Sequence, residues 1–192
     1  MGGFIAVEGL DGVGKSTVVQ QLAGCFSGHA MSTPGAALRE CRQAVLHAFA
    51  EDELAKALFY TASVSSQGRQ ARKKAERGEW VFMDRYWAST LAYAKARGVT
   101  ADIEPLTQSL IQPDLTVLLL LDETERQRRL HARGATVEDM ETLDPVFRDC
   151  VLDELHAHAN LVIDITGFTL SDLSVRLSSD IRKKQALDNR GR

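Results

Sequence analysis

Phe4-Ile5-Ala6-Val7-Glu8-Gly9-Leu10-Asp11-Gly12-Val13-Gly14-Lys15-Ser16-Thr17 is a short apolar run that stops at an acid, passes through a glycine-rich stretch and ends in Lys-Ser-Thr. The apolar residues read as a buried strand and residues 15–26 as the helix that follows it. Gly9 to Ser16 satisfies G-x-x-x-x-G-K-[ST] in the strand-to-helix context that gives this pattern its meaning. Such a loop turns backbone N–H groups inward around a polyphosphate, which needs glycine where the chain bends sharply or approaches the ligand closely. Lys15 brings charge to the terminal phosphates and the Ser16 hydroxyl is of the type that ligates Mg²⁺. The helix N-terminus adds its partial positive charge. The stretch predicts nucleotide binding. An N-K-x-D guanine-reading element is absent from the chain, which disfavours a GTPase.

Working outward, further strands are expected at 29–32, 80–84, 115–122 and 161–164, each separated from the next by helix-like sequence. Helices are expected at 51–77, 86–97, 103–111, 123–133, 145–159 and 170–186. Alternation of this kind builds βαβ units, and strands that are apolar throughout belong to a parallel sheet covered on both faces. The fold expected is therefore α/β: a P-loop NTPase three-layer sandwich with a five-stranded parallel sheet and a short lid. One domain over residues 1–192 is expected, with the lid at about 134–143, where Gly, Ala, Thr and several acids interrupt the helices, and with a fraying tail from Arg182.

Composition narrows the class of activity. A formal net charge of -3 supplies no broad positive field, so nucleic acid is an unlikely partner. The longest wholly apolar run, 117–121, is far short of a membrane span, and no basic leader precedes the first strand, so a cytoplasmic protein without a membrane partner is expected. Cys25, Cys41 and Cys150 are odd in number and widely spaced, which predicts free thiols.

A second constellation stands at residues 84–93. Asp84 ends a strand and Arg85 follows it, at the carboxyl edge where open α/β sheets place ligands. There the acid can hold Mg²⁺ or its waters and the arginine can take a second phosphate; a structural ion pair capping the strand is the alternative. Arg126, Arg129 and Arg133 recur at i, i+3 and i+7 on one helix and lead into the 134–143 segment. A solvated charged face is the alternative there.

The P-loop with its preceding Glu8, then Asp84-Arg85-Tyr86-Trp87-Ala88-Ser89-Thr90-Leu91-Ala92-Tyr93, then Gln112-Pro113-Asp114-Leu115, together resemble the thymidylate kinase family over nearly the whole chain. Asp84 to Trp87, Ser89-Thr90 and the stretch from Arg133-Gly134 to Val146-Phe147-Arg148 look most similar to the mitochondrial-type UMP/CMP kinase 2 branch. The resemblance implies ATP bound by Gly9, Asp11, Gly12, Val13, Gly14, Lys15, Ser16 and Thr17 with Arg126, and Mg²⁺ held by Ser16 and Asp84. It implies an acceptor nucleotide bound by Asp11, Phe59, Arg85, Ser89, Thr90 and Tyr93. Phe59 matches a ring that stacks on the pyrimidine, with plain core packing as the alternative. Ser89 and Thr90 match base-edge contacts, and Tyr93 matches the residue that crowds a ribose 2'-hydroxyl. Lys15, Asp11, Arg85, Arg129 and Arg133 would carry phosphoryl transfer, which needs charge neutralisation and positioning more than a base.

The implied activity is an ATP- and Mg²⁺-dependent pyrimidine nucleoside monophosphate kinase, possible as a homodimer. Two rivals are a kinase acting on a modified base in DNA and a nucleotide-binding module whose catalysis has decayed. The chain departs from the family at two places. The segment Met31-Ser32-Thr33-Pro34-Gly35 lacks the arginine expected ahead of Pro-Gly, for which Arg39 or Arg42 could deputise. Ser63 stands where the family places an arginine on the thymine carbonyl, which opens the acceptor to UMP, dUMP, CMP and dCMP beside dTMP.

Overall fold

The computed structural model describes residues 2–134 and 136–188; the expectations for Ala135 and for the last residues of the tail fall outside them. Strands β1 (Gly3–Glu8), β2 (His29–Ser32), β3 (Trp80–Asp84), β4 (Leu115–Leu120) and β5 (Leu161–Asp164) form one sheet in the order β2-β3-β1-β4-β5. All neighbours are parallel. β1 is buried at every position. Its alternate residues feed two cores. Ile5 and Val7 pack with helices α1 (Lys15–Cys25), α8 (Pro145–Ala157) and α9 (Leu170–Asp188). Phe4 and Ala6 pack with α4 (Glu53–Glu76) and α5 (Trp87–Ala96). This two-sided cover explains why the strands carry no polar alternation.

The segments that differ from the sequence expectation do so for physical reasons. Helices α2 (Ala36–Arg39) and α3 (Arg42–Phe49) were not expected; neither has a buried residue, so neither leaves an apolar stripe to read. Residues 103–111 form a 3₁₀ turn, Glu104–Ser109, with Pro105 in its first turn and Ile103 and Leu110 as its buried anchors. β4 stops short of Asp122 because that carboxylate accepts from the Glu125 N–H and caps α6 (Glu123–Arg133). The 134–143 segment contains a helix, α7 (Val137–Glu141), closed by a Thr136/Asp139 capping box. Arg182 lies in α9 with its guanidinium 5.0 Å from the Phe26 ring, and Leu173, Leu177 and Ile181 seal the helix to the sheet, so fraying does not start there.

The Gln112-Pro113-Asp114 element is structural. The Asp114 carboxylate accepts from the Phe4 N–H at 2.7 Å and from Arg72 at 2.9 Å, joining the start of β1 to α4. Beside it the Tyr86 hydroxyl donates to the Ile111 carbonyl at 2.7 Å, passing the middle of α4 where only Gly68 leaves room. A Cβ at position 68 would stand 1.9 Å from that hydroxyl oxygen. Intrinsic propensity favours alanine in a helix interior by about 1 kcal/mol, whereas overpacking a rigid core costs about 1–3 kcal/mol. Because the Tyr86 ring is itself held edge-on to Phe4 at 5.1 Å, packing outweighs propensity. Gly68→Ala is expected to lose about 1–2 kcal/mol in urea unfolding, and less in a Tyr86→Phe background; a stabilised Gly68→Ala protein would overturn this.

Candidate active site

The carboxyl ends of β1 and β3 lie side by side, Val7 in register with Asp84, so the P-loop after one strand and Asp84-Arg85 after the other meet at one edge. Gly12 has φ of +89° and packs so tightly on α6 that a Cβ there would lie 2.9 Å from Leu130 and 3.1 Å from Arg126. Gly14, with φ of +98°, starts α1 without any side-chain cap, so the N–H groups that open the helix face the loop. Lys15 is buried. Its ammonium donates to the Leu10 carbonyl at 2.7 Å and lies 3.8 Å from Asp11. Burial, reinforced by repulsion from Arg85, pulls its pKa down to about 8 against the attraction of Asp11, Asp84 and Glu8.

Arg85 adopts φ of +62°, a left-handed conformation that an arginine accepts only under constraint. Its N–H donates to the Val7 carbonyl at 3.0 Å, and the turn sends its guanidinium back to Asp11 at 2.8 Å. The same group donates to the Ser89 hydroxyl at 2.9 Å and lies 5.2 Å from the centre of the Tyr93 ring. Burial resists ionisation of Asp11, yet Arg85 and Lys15 outweigh it and hold that carboxyl well below the usual range. Burial also pushes the Tyr93 phenol up to about 12, so it is a neutral donor at physiological pH.

Ser16 donates to one oxygen of Asp84, and the other Asp84 oxygen is buried with no hydrogen-bond partner among the described residues. A hydroxyl joined to a carboxylate with a spare lone pair is a donor set of the kind Mg²⁺ takes alongside phosphate oxygens and water. Among the described residues no cluster of three or more His, Cys, Asp or Glu could hold a metal without such help.

Two cavities adjoin this corner. The first is lined by the P-loop residues Asp11, Gly12 and Gly14 to Thr17, with Ser32, Thr33, Asp84, Arg85 and Arg133. The second runs from Asp11, Thr33 and Arg85 past Ser89, Thr90 and Tyr93 to Arg42, Tyr60, Glu53 and Arg97. Asp11, Thr33 and Arg85 belong to both, so one ligand in each would meet end to end there.

Two expectations need correction. Phe59 does not line the second cavity: its ring packs edge-on against Phe49 and Tyr60, at 6.5 and 5.3 Å, and Tyr60, one residue on, faces the cavity. Arg126 lines neither cavity. It is 1% exposed and donates to the Asp11 carbonyl, to the hydroxyl and carbonyl of Thr142, and to both oxygens of Glu123. It holds the P-loop backbone instead. Arg129 reaches the Val13 carbonyl at 3.3 Å while paired with Glu125, and Arg133 pairs with Asp139 at the mouth of the first cavity. Ser63 is buried with its hydroxyl donated to its own helix at the Phe59 carbonyl, 3.0 Å away, and lines neither cavity.

Sequence reasoning missed Thr33, Glu53, Tyr60 and Arg97 as cavity residues. Only Glu53, Ala57 and Tyr60 left a signal, the i, i+4, i+7 spacing of one helical face. It missed Glu8 as well, a wholly buried carboxylate that accepts from the N–H groups of Tyr86 and Ser89 and from the Ser89 hydroxyl, and so fixes the start of α5. Burial pushes the Glu8 pKa up against those donors and the charge of Arg85.

Comparison with known proteins agrees with this geometry. The family model described as thymidylate kinase matches residues 7–167. The thymidylate kinase of Parasynechococcus marenigrum strain WH8102 is 33% identical over 179 residues, spanning 82% of this chain and 85% of that one. That of Deinococcus radiodurans is 36% identical over 183 residues, spanning 85% and 88%. Among solved structures, thymidylate kinase from Candida albicans superposes with a TM-score of 0.76 over 96% of this chain and 92% of its own, at 22% identity, a likeness of fold.

The lowered Lys15 pKa carries a pH dependence. Free protein keeps the ammonium charged below about pH 8 and loses it above, while a bound polyphosphate favours the charged form. Affinity for a nucleoside triphosphate, measured by calorimetry at constant ionic strength, is therefore expected to fall as pH rises through 8 and 9. A flat profile from pH 7 to 9.5 would overturn this placement of Lys15.

Proposed function

The chain belongs to the thymidylate kinase family, nucleoside monophosphate kinases that are phosphotransferases, and from that premise we propose that it transfers the γ-phosphoryl group of ATP to the 5'-phosphate of dTMP. The observation that carries the reading is the pair of cavities meeting at Asp11, Thr33 and Arg85. ATP lies in the first with its terminal phosphates over the P-loop. The acceptor lies in the second with its phosphate toward Arg85. An oxygen of the acceptor phosphate bonds to the γ-phosphorus as the bond to the β–γ bridging oxygen breaks, leaving ADP and the nucleoside diphosphate. The acceptor phosphate is anionic at neutral pH, so no protein base is required. Lys15 and Arg85 neutralise charge at the two ends, with Arg129 and Arg133 on the ATP side.

Ser16 and Asp84 would hold Mg²⁺ through the hydroxyl and the spare carboxylate oxygen; the ion, when bound, offsets charge on the phosphates. Asp11 aims Arg85. Tyr93, beside both, crowds the sugar and favours deoxyribose. The far end of the acceptor cavity offers Arg42, Tyr60, Glu53, Arg97 and Thr90 to the base, in place of Ser63 and Phe59. Arg42 lines this cavity, with its Nε donating to the Tyr60 hydroxyl at 2.9 Å, while Arg39 reaches only Ser32 at 3.4 Å; Arg42 is the better candidate for the absent acceptor-side arginine.

Release of ADP measured with dTMP, dUMP, UMP, dCMP and CMP tests this directly. dTMP is expected to give the highest kcat/KM; a ribonucleotide or cytosine nucleotide preferred over it would favour the UMP/CMP kinase 2 likeness, and no turnover with any would leave a binding module. Lys15→Ala is expected to lower kcat at least a hundredfold in a folded protein. Arg85→Lys keeps the charge but not the fork, and should lower kcat/KM for the acceptor roughly tenfold to hundredfold while ATP affinity changes little. Equal loss on the ATP side would reverse the assignment of the two cavities.

A further inference from the structure

Thr33 lines both cavities, and its buried hydroxyl has no hydrogen-bond partner among the described residues. The residue is 9% exposed, and its Oγ1 makes no hydrogen bond. Buried hydroxyls nearly always find a partner, so one left over on a residue that lines both cavities points to a ligand. Its position is fixed by its own backbone: the Thr33 N–H donates to the Asp84 carbonyl at 3.1 Å, which ties the end of β2 to the Asp84-Arg85 corner. That N–H is thereby used and Pro34 has none, so at these two residues the hydroxyl is the donor left to offer. The neighbouring Ser32 hydroxyl is turned to the Pro34 carbonyl at 3.2 Å.

We propose that Thr33 Oγ1 donates a hydrogen bond to the acceptor's phosphate group, a contact built from its place beside Asp11 and Arg85 on the wall common to both cavities. The proposal rests on the kinase reading above and extends it by one residue. The chemistry is complementary: an ionised phosphate monoester presents only acceptor oxygens, and Thr33 presents a donor whose lack of charge spares it from competing with Arg85 for Asp11. The turn from Ser32 to Gly35 carries no cation, so the hydroxyl is what it contributes to an anion.

The test separates a ligand contact from a structural role. Thr33→Val removes the donor at nearly constant shape; because the hydroxyl has no partner in the free protein, the variant is expected to melt no lower than wild type. Binding of dTMP, read by calorimetry, should weaken roughly tenfold to hundredfold, as for a hydrogen bond to a charged group. ATP affinity should stay within about twofold. Thymidine, which lacks the phosphate, should bind both proteins equally, and Thr33→Ser should recover most of the dTMP affinity. Unchanged dTMP binding, a parallel loss of thymidine or ATP, or failure of serine to rescue would each overturn the proposal. Failure of wild type to release ADP with every acceptor would instead defeat the kinase reading; an active wild type with an indifferent Thr33→Val variant defeats only this contact.

Discussion

The ion pair between Asp11 and Arg85, 2.8 Å apart, is the constraint on which the site depends. It joins the P-loop to the turn after β3, and it exists only because Arg85 takes a left-handed backbone, at a cost of about 1–2 kcal/mol, so that its guanidinium doubles back over the sheet edge. Each charge offsets the other at a half-buried corner, where an unpaired charge would be costly. With Lys15 and Asp84 added, two cations face two anions. That balance lets Lys15 be buried and Arg85 half-buried before any ligand arrives. It also means that the excess positive charge for two phosphate chains comes from elsewhere: from arginines on α6 and from a divalent cation, in the mechanism proposed.

Around this balanced quartet stand two buried ionisable side chains that line neither cavity. Glu8 satisfies the opening N–H groups of α5 from below, and Arg126 clamps the Asp11 carbonyl to α6 and to Thr142. Each is fully hydrogen-bonded at its described contacts, which is the condition under which a buried charge is affordable. Their common effect is on backbone position. Glu8 sets where Ser89 sits and so where Arg85 can donate, and Arg126 sets the P-loop segment that carries the Asp11 carboxylate. The reacting groups are thus held by charges that stay out of reach of the reactants.

The fold was legible because its decisive features are local. An apolar strand, a glycine turn and a lysine-serine helix start occupy consecutive residues, and the strand ends at Glu8, Ser32, Asp84 and Asp164 all agree with expectation. What escaped was non-local or weakly patterned. α2 and α3 bury nothing, so no periodicity marks them. Phe59 and Tyr60 are adjacent aromatics, and which one faces the cavity depends on how α4 is rotated against the sheet, a fact carried by Gly68 and Tyr86 rather than by the aromatic pair. Arg126 shares its spacing with Arg129 and Arg133, yet it lies inside the molecule. The difference is made by Thr142 and Asp11, residues at 16 and 115 positions' distance.

The three arginines also differ in how readily they can be redirected. Arg126 cannot leave its place without stranding a buried charge and the Asp11 carbonyl. Arg133 is half exposed whereas Asp139 is buried, so solvent screens their pair from the arginine side only. If it turns to a phosphate, one Asp139 oxygen keeps the N–H and hydroxyl of Thr136 in the capping box, while the oxygen that accepted from Arg133 has to find another donor. α7 is therefore held by one fixed arginine and one exchangeable one, while Arg97, whose guanidinium lies 5.4 Å from the Tyr93 ring, grips Glu141 from the acceptor side. α7 is thus tied to residues of both cavities, to Arg133 of the first through Asp139 and to Arg97 of the second through Glu141.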